Sequence, residues 1–370
     1  MRWWSRPSSC PPLFLITGRR RRRDPTAGIC RVRAGRRRVD ARTGAPDNTR
    51  LAGNRQFSNQ EMHRPMIVTT PDQFRAQLRN DWLTADSAAV PRAVFLVEPA
   101  DFSLSRQAAR DNSYMDLTVG VNPGLAIEQH RDLTDRIAAC GVPVIRFPGR
   151  RENPDDLFPN NVFGTIPGRF IVGAMLHPER QQEARRCDIR AFFTDLMGYR
   201  EVDLSGRDLV AELTGALVMD RSRRLGFCGL TGRVDVRGCE AMHDAFELAL
   251  TFRFDLKPEE YHTNVVMSVL ASRALVICPD AFVDPEVPAA IGEAFPGHVL
   301  EITQVEKEAF AGNCLAVNFN DLFISAAAWR ALAPEKRRLL ESWDFAIHAV
   351  ELDEIEKAGG SLRCCIGEIF

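Results

Sequence analysis

Four short segments hold residue types able to attack, protonate and grip a carbon–nitrogen bond. The segment Gly359-Gly360-Ser361-Leu362-Arg363-Cys364-Cys365 sets two thiols behind paired glycines and beside an arginine. Glycines permit close backbone approach and leave N–H groups able to hold an oxyanion, and a neighbouring cation favours the nucleophilic thiolate. The plain alternative is a cysteine pair in a core strand, the commoner fate of a cysteine. Tyr261-His262-Thr263-Asn264 stands just ahead of an apolar run beginning at Val265. An imidazole there can act as general acid and base for a thiol. The remaining histidines, among them His130, His243 and His348, have no such companion motif.

The third segment, Pro154-Asp155-Asp156-Leu157-Phe158-Pro159-Asn160-Asn161, is dense in turn formers and breaks into Val162-Phe163. Taken alone it is as well explained as an Asx-rich turn. The fourth joins Glu212-Leu213-Thr214-Gly215 to Gly229-Leu230-Thr231-Gly232-Arg233, a carboxylate and a guanidinium at opposite ends of one predicted hairpin, and a surface ion pair explains it equally well.

These segments are carried by a chain that couples short apolar runs to amphipathic helices. Ala93 to Val97 reads as a buried strand, Leu125 to Cys140 as a helix ending at Gly141, and Val142 to Ile145 as the next strand. A charged helix over Glu179 to Met197 follows Phe170-Ile171-Val172, and Leu217-Val218-Met219 pairs with Leu225-Gly226-Phe227. Further along come a helix over Gly238 to Thr251, strands at Val265 to Leu270 and Ala274 to Ile277, a helix over Pro334 to Trp343, and a last strand around Leu362 to Ile369. Helices interleaved with hairpins predict a mixed α/β class. No internal sequence repeat is visible.

Charge divides the chain. Residues 1–65 hold 16 Arg and 4 acidic residues, whereas residues 66–370 hold 32 basic and 45 acidic ones. An acidic body excludes a nucleic-acid footprint, which needs clustered uncompensated cations, and it does not steer acidic substrates. The segment 1–65 reads as a disordered basic arm upstream of a true start at Met62 or Met66, with residues 66–370 as a single catalytic domain. Ten cysteines without regular spacing fit a reducing, cytoplasmic setting, and no apolar run is long enough to span a membrane.

Taken in order, the four segments resemble the arginine deiminase, dimethylarginine hydrolase and amidinotransferase superfamily, from about Met66 to Phe370. Gly-Gly-x-x-Arg-Cys is similar to its nucleophile segment, which implies Cys364 as nucleophile. His262-Thr263-Asn264 looks like its His-Leu-Asp, implying His262 as acid and base, and Glu212 corresponds to the carboxylate that orients it. The resemblance further implies that Arg233 grips the substrate carboxylate and that Asp155 lies near its α-amino group. The implied fold is a five-bladed pseudo-symmetric α/β propeller of ββαβ repeats, with no metal or organic cofactor.

Two departures refine this. Deiminases hold a guanidinium with two carboxylates, where this sequence has Asn161 and Asn264. A buried cation without anionic partners binds poorly, whereas an amide offers both an acceptor and a donor to a neutral ureido group. The sequence therefore resembles most the citrulline hydrolase branch, which releases ornithine. Its alternatives are an arginine deiminase or dimethylarginine-type hydrolase, an amidinotransferase, a catalytically silent amino-acid-binding protein, and a zinc enzyme built on Cys239 and His243. The expected partner is a small amino-acid substrate, and the letters carry no signal for oligomeric state.

Overall fold

The computed structural model describes residues 66–80 and 82–370, and the expected basic arm, residues 1–65, lies outside them. Along the chain, the strands β1 (Met66–Val68), β2 (Ala93–Glu98) and β3 (Val144–Pro148) precede a regular series. That series is β4 (Phe163–Ile166), β5 (Arg169–Val172), β6 (Arg200–Asp203), β7 (Leu217–Asp220), β8 (Leu225–Leu230) and β9 (Leu250–Asp255). It continues through β10 (Met267–Leu270), β11 (Ala274–Ile277), β12 (Val299–Glu301), β13 (Leu315–Ala316), β14 (Asp321–Ser325) and β15 (Ala346–Val350) to β16 (Gly367–Ile369).

Among the described residues the strands form five sheets, none closed on itself, in a mixed α/β architecture. One pattern recurs: a first strand pairs antiparallel with a second, and a helical crossover brings a third parallel to the second. β4-β5-β6, β7-β8-β9, β10-β11-β12 and β13-β14-β15 follow it in sequence. The fifth sheet takes its first strand from far along the chain, with β16 antiparallel to β2 and β2 parallel to β3. β1 adds an edge strand parallel to β9.

Local chemistry accounts for these elements. β10 and β11 are buried throughout, so they read as continuous apolar runs, and Ala271 and Ser272, both at positive φ, make the tight turn between them. The helix Pro123–Ala139 starts where Asn122 accepts a hydrogen bond from Leu125 N and proline occupies the first turn. Its Ala126, Leu133 and Ile137 bury against Phe323 and Val350.

Three expectations need correction. The helix expected over 179–197 is broken into Pro178–Glu183, Cys187–Ala191 and a wider turn at Phe192–Leu196. The break comes from Arg186, fully buried and bonded to Asp156 Oδ2 (2.8 Å), Pro148 O (2.8 Å) and Asp188 Oδ2 (2.6 Å). The helix expected over 238–251 ends at Ala245, because Leu250 begins β9. Leu362–Cys365 forms a short 3-10 turn ahead of β16, so Cys364 stands at the strand's entrance.

Candidate active site

The site is assembled from one recurring position, the segment entering the first strand of each sheet. These segments are Pro159–Asn161, Leu213–Ala216 with Glu212, Thr263–Val266 with His262, Gly312-Asn313-Cys314 and Leu362–Cys365. Hydrogen bonds join them in a closed cycle. Thr214 Oγ1 donates to Asn160 O (2.9 Å), Thr263 Oγ1 to Ala216 O (2.7 Å) and Asn313 Nδ2 to Asn264 O (2.9 Å). Arg363 N then donates to Asn313 Oδ1 (3.0 Å), and Asn160 Nδ2 to Ile366 O (3.3 Å). Polar side chains that satisfy one another's backbones in this way rigidify a buried site.

Within this hub Cys364 is 1% exposed, and its sulfur receives Asn313 Nδ2 at 3.5 Å and Asn264 Nδ2 at 3.9 Å. His262 Nε2 lies 2.9 Å from Glu212 Oε2, while His262 Nδ1 is buried without a partner. Gly215 has no room for a side chain, since a Cβ there would lie 2.8 Å from His262 Cε1 and 2.9 Å from Asn161 Oδ1. Asp155, Asn161, Arg233, His262 and Cys364 line one small cavity of about 20 Å³, together with Phe158 and Gly360. Asn264 reaches it through Cys364, so the seven residues singled out in the sequence come together.

Three buried acceptors, Asp155 Oδ1, Asn161 Oδ1 and Asn264 Oδ1, lack a donor. Because an unsatisfied buried polar atom costs about 1–3 kcal/mol, the cluster calls for a ligand rich in N–H groups.

The electrostatics set resting protonation states. Burial opposes ionisation of Glu212, but Arg233, His262 and Arg180 outweigh it and hold this carboxyl far below the usual range. Burial lowers the pKa of His262 despite Glu212, leaving a neutral imidazole. The Cys364 thiol is pushed up by burial, against the Ser361 backbone, Asn313 and two arginines. Asp155 is likewise raised by burial, against Arg180 and Arg233.

Arg233 is fully engaged, and its pairing with Glu212 (3.2 Å) is buried, so the surface ion pair is excluded. Its Nε and one terminal nitrogen hold Asp111 at 2.7 and 2.8 Å. Sequence reasoning missed Asp111, Arg180 and Asn313. For Asn313 a signal existed: an asparagine just ahead of an apolar run, as at Asn161 and Asn264. The zinc alternative fails on position, because Cys239 and His243 belong to no group of three potential ligands among the described residues: Cys239 hydrogen-bonds Cys228, and His243 Nδ1 pairs with Thr251 Oγ1 at 2.8 Å.

A family model described as N,N dimethylarginine dimethylhydrolase, eukaryotic, matches residues 98–370. The chain belongs to this family. It is a hydrolase of non-peptide C–N bonds with a catalytic cysteine, in the guanidino-group-modifying enzyme family, which sets aside the silent binding protein. It is 25% identical over 278 residues to N(G),N(G)-dimethylarginine dimethylaminohydrolase of Mycobacterium tuberculosis, covering 75% of this chain and 86% of that one. A Bacillus subtilis protein, YkgA, of uncharacterised function, is 22% identical over 242 residues, covering 65% and 78%. The fold matches the substrate-bound N-terminal domain of ArgZ, an arginine dihydrolase of cyanobacteria, with TM-score 0.65, 20% identity and coverage of 75% and 97%. A dimethylarginine dimethylaminohydrolase adduct with a chloropyridine matches with TM-score 0.57, 16% identity and coverage of 75% and 99%.

Proposed function

We propose that this family member hydrolyses the ureido C–N bond of citrulline to ornithine, ammonia and carbon dioxide. The observation that carries the reading is the pair of neutral amides, Asn161 and Asn264, whose oxygens stand unpartnered in the hub around Cys364. Of the carboxylates at the site, Asp155 is assigned to the α-ammonium, and Glu212 is engaged by His262 and Arg233 and is not available to a guanidinium.

In this reading His262 takes the Cys364 proton and the thiolate adds to the ureido carbon. Asn264 and Asn313 amide hydrogens with backbone N–H groups hold the oxyanion. Its collapse breaks the bond to the ornithine nitrogen, which takes the proton from His262, and a carbamoyl thioester remains. His262, held by Glu212, then deprotonates water; the water adds, Cys364 leaves as thiolate, and the carbamic acid decomposes. Asp155 receives the α-ammonium, and the α-carboxylate replaces Asp111 on Arg233. The five sheets are read as blades of a pseudo-symmetric propeller, supported by the cyclic hydrogen bonding of their entry segments. A cytoplasmic setting is supported by the lack of any disulfide at Cys140, Cys228, Cys239, Cys278, Cys314, Cys364 or Cys365. No helix among the described residues is long and apolar enough to cross a membrane.

A second reading, arginine taken through citrulline to ornithine, is favoured by the raised Cys364 thiol, because an adjacent guanidinium would stabilise its thiolate. Separate incubation with citrulline, arginine and dimethylarginine distinguishes the readings. Ornithine from citrulline alone supports the first, and ornithine from both citrulline and arginine the second. Dimethylamine from dimethylarginine, with citrulline left intact, overturns both.

A further inference from the structure

A second group of chemistry-bearing side chains lies outside this cavity. Cys140 caps the helix Pro123–Ala139, Asp321 opens β14 and His348 sits midway along β15. β14 and β15 are parallel with Phe323 opposite His348, so Asp321, Phe323 and His348 share one face of the sheet. The helix packs on that face through Ile137, Phe323 and Val350 and delivers Cys140 to it.

His348 Nε2 is 3.6 Å from Cys140 Sγ and 2.7 Å from Asp321 Oδ1, and the three atoms lie within 4.8 Å of one another. A single ring nitrogen thus meets both partners. One N–H serves only one of them, while the Cys140 thiol hydrogen-bonds Asp321 in turn, so all three donor atoms converge; a proton relay would put the carboxylate on the opposite ring nitrogen. Sulfur, nitrogen and oxygen gathered at one point instead suit a tetrahedral cation, whose bonds of about 2.0–2.3 Å leave ligand atoms roughly 3.2–3.8 Å apart.

Supporting contacts orient the donors. Asn318 Nδ2 donates to Asp321 Oδ2 at 2.8 Å, which leaves Oδ1 for the cluster, and the imidazole stacks on Phe323 with ring centres 4.6 Å apart. Asp321 and His348 keep 20% and 28% of their side-chain surface exposed, so a fourth position is open to water.

We infer that Cys140, Asp321 and His348 form a zinc(II) site completed by water. The thiolate selects zinc over magnesium or calcium, and metal binding displaces the Cys140 proton to solvent. The ion ties the helix linking β2 to β3 onto the β13-β14-β15 sheet, apart from the reacting cysteine.

Titration of metal-free protein with zinc chloride, followed by calorimetry and melting temperature, tests this. One zinc per chain is expected, with a higher melting temperature, in both the parent and Cys364→Ser; both effects should disappear in Cys140→Ser and His348→Ala. Cobalt(II) should give a thiolate charge-transfer band that Cys140→Ser removes. Turnover equal to the parent in metal-free Cys140→Ser certifies that this variant is folded. Absence of stoichiometric zinc, or zinc lost with Cys364→Ser and kept in Cys140→Ser, overturns the assignment.

Discussion

Two clusters in this molecule contain a cysteine, a histidine and a carboxylate, and they use the imidazole in opposite ways. At the hub, His262 gives Nε2 to Glu212 and keeps Nδ1 unpartnered, with the whole group buried. On the β13-β14-β15 sheet, His348 turns the same Nε2 to both Cys140 and Asp321, and the group is partly solvated. Composition is therefore a poor guide to role. A division of labour between the ring nitrogens permits proton transfer, whereas convergence on one of them makes a cradle for a cation.

Breaking the clusters one residue at a time sharpens the contrast. Cys364→Ala should lower kcat by about 10⁴-fold or more, while Cys140→Ala leaves it unchanged in steady-state ornithine release. Glu212→Gln should cost about 10²–10³-fold in kcat and also depress the melting temperature, because Arg233 loses a buried partner; Asp321→Asn should leave kcat unchanged and abolish only the rise in melting temperature that zinc brings. Gly215→Ala pushes a methyl group into His262 and Asn161 and should reduce kcat by about 10²-fold, as expected for a misplacement of about 1 Å.

The smallest effect concerns pH. Burial raises both thiols, that of Cys140 to about 11, so both are protonated at neutrality. Iodoacetamide labelling of each should be slower than that of a free cysteine at pH 7 and still rising at pH 9, about tenfold per unit below the pKa. Zinc should protect Cys140 alone. An ordinary thiol profile at Cys364 would remove the argument that burial keeps it neutral at rest.

Which parts of this were readable from the letters follows a physical rule. Cys364, His262 and Glu212 were legible because each is a reactive type next to glycine or an apolar run. Asp111 and Arg180 were not, since they matter through partners 122 residues away in the first case and through field effects on Glu212 and Asp155 in the second. The recurrence of the sheets was hidden because the shared entry position is filled by differing letters, Pro-Asn-Asn in one and Leu-Arg-Cys-Cys in another, with an asparagine common to only some of them. The break at Arg186 depended on Asp156 and Pro148, which no helical periodicity records.

β16 completes a sheet whose other strands, β2 and β3, lie more than two hundred residues earlier, and Cys364 stands at its entrance. A growing polypeptide can therefore pair four of these five sheets before it owns the proposed nucleophile. In the proposed mechanism, fragments cut short of residue 364 lack the attacking thiol however well the rest has folded, so that thiol arrives only when the last sheet can close over it. Closure of the fold and arming of the enzyme are one event.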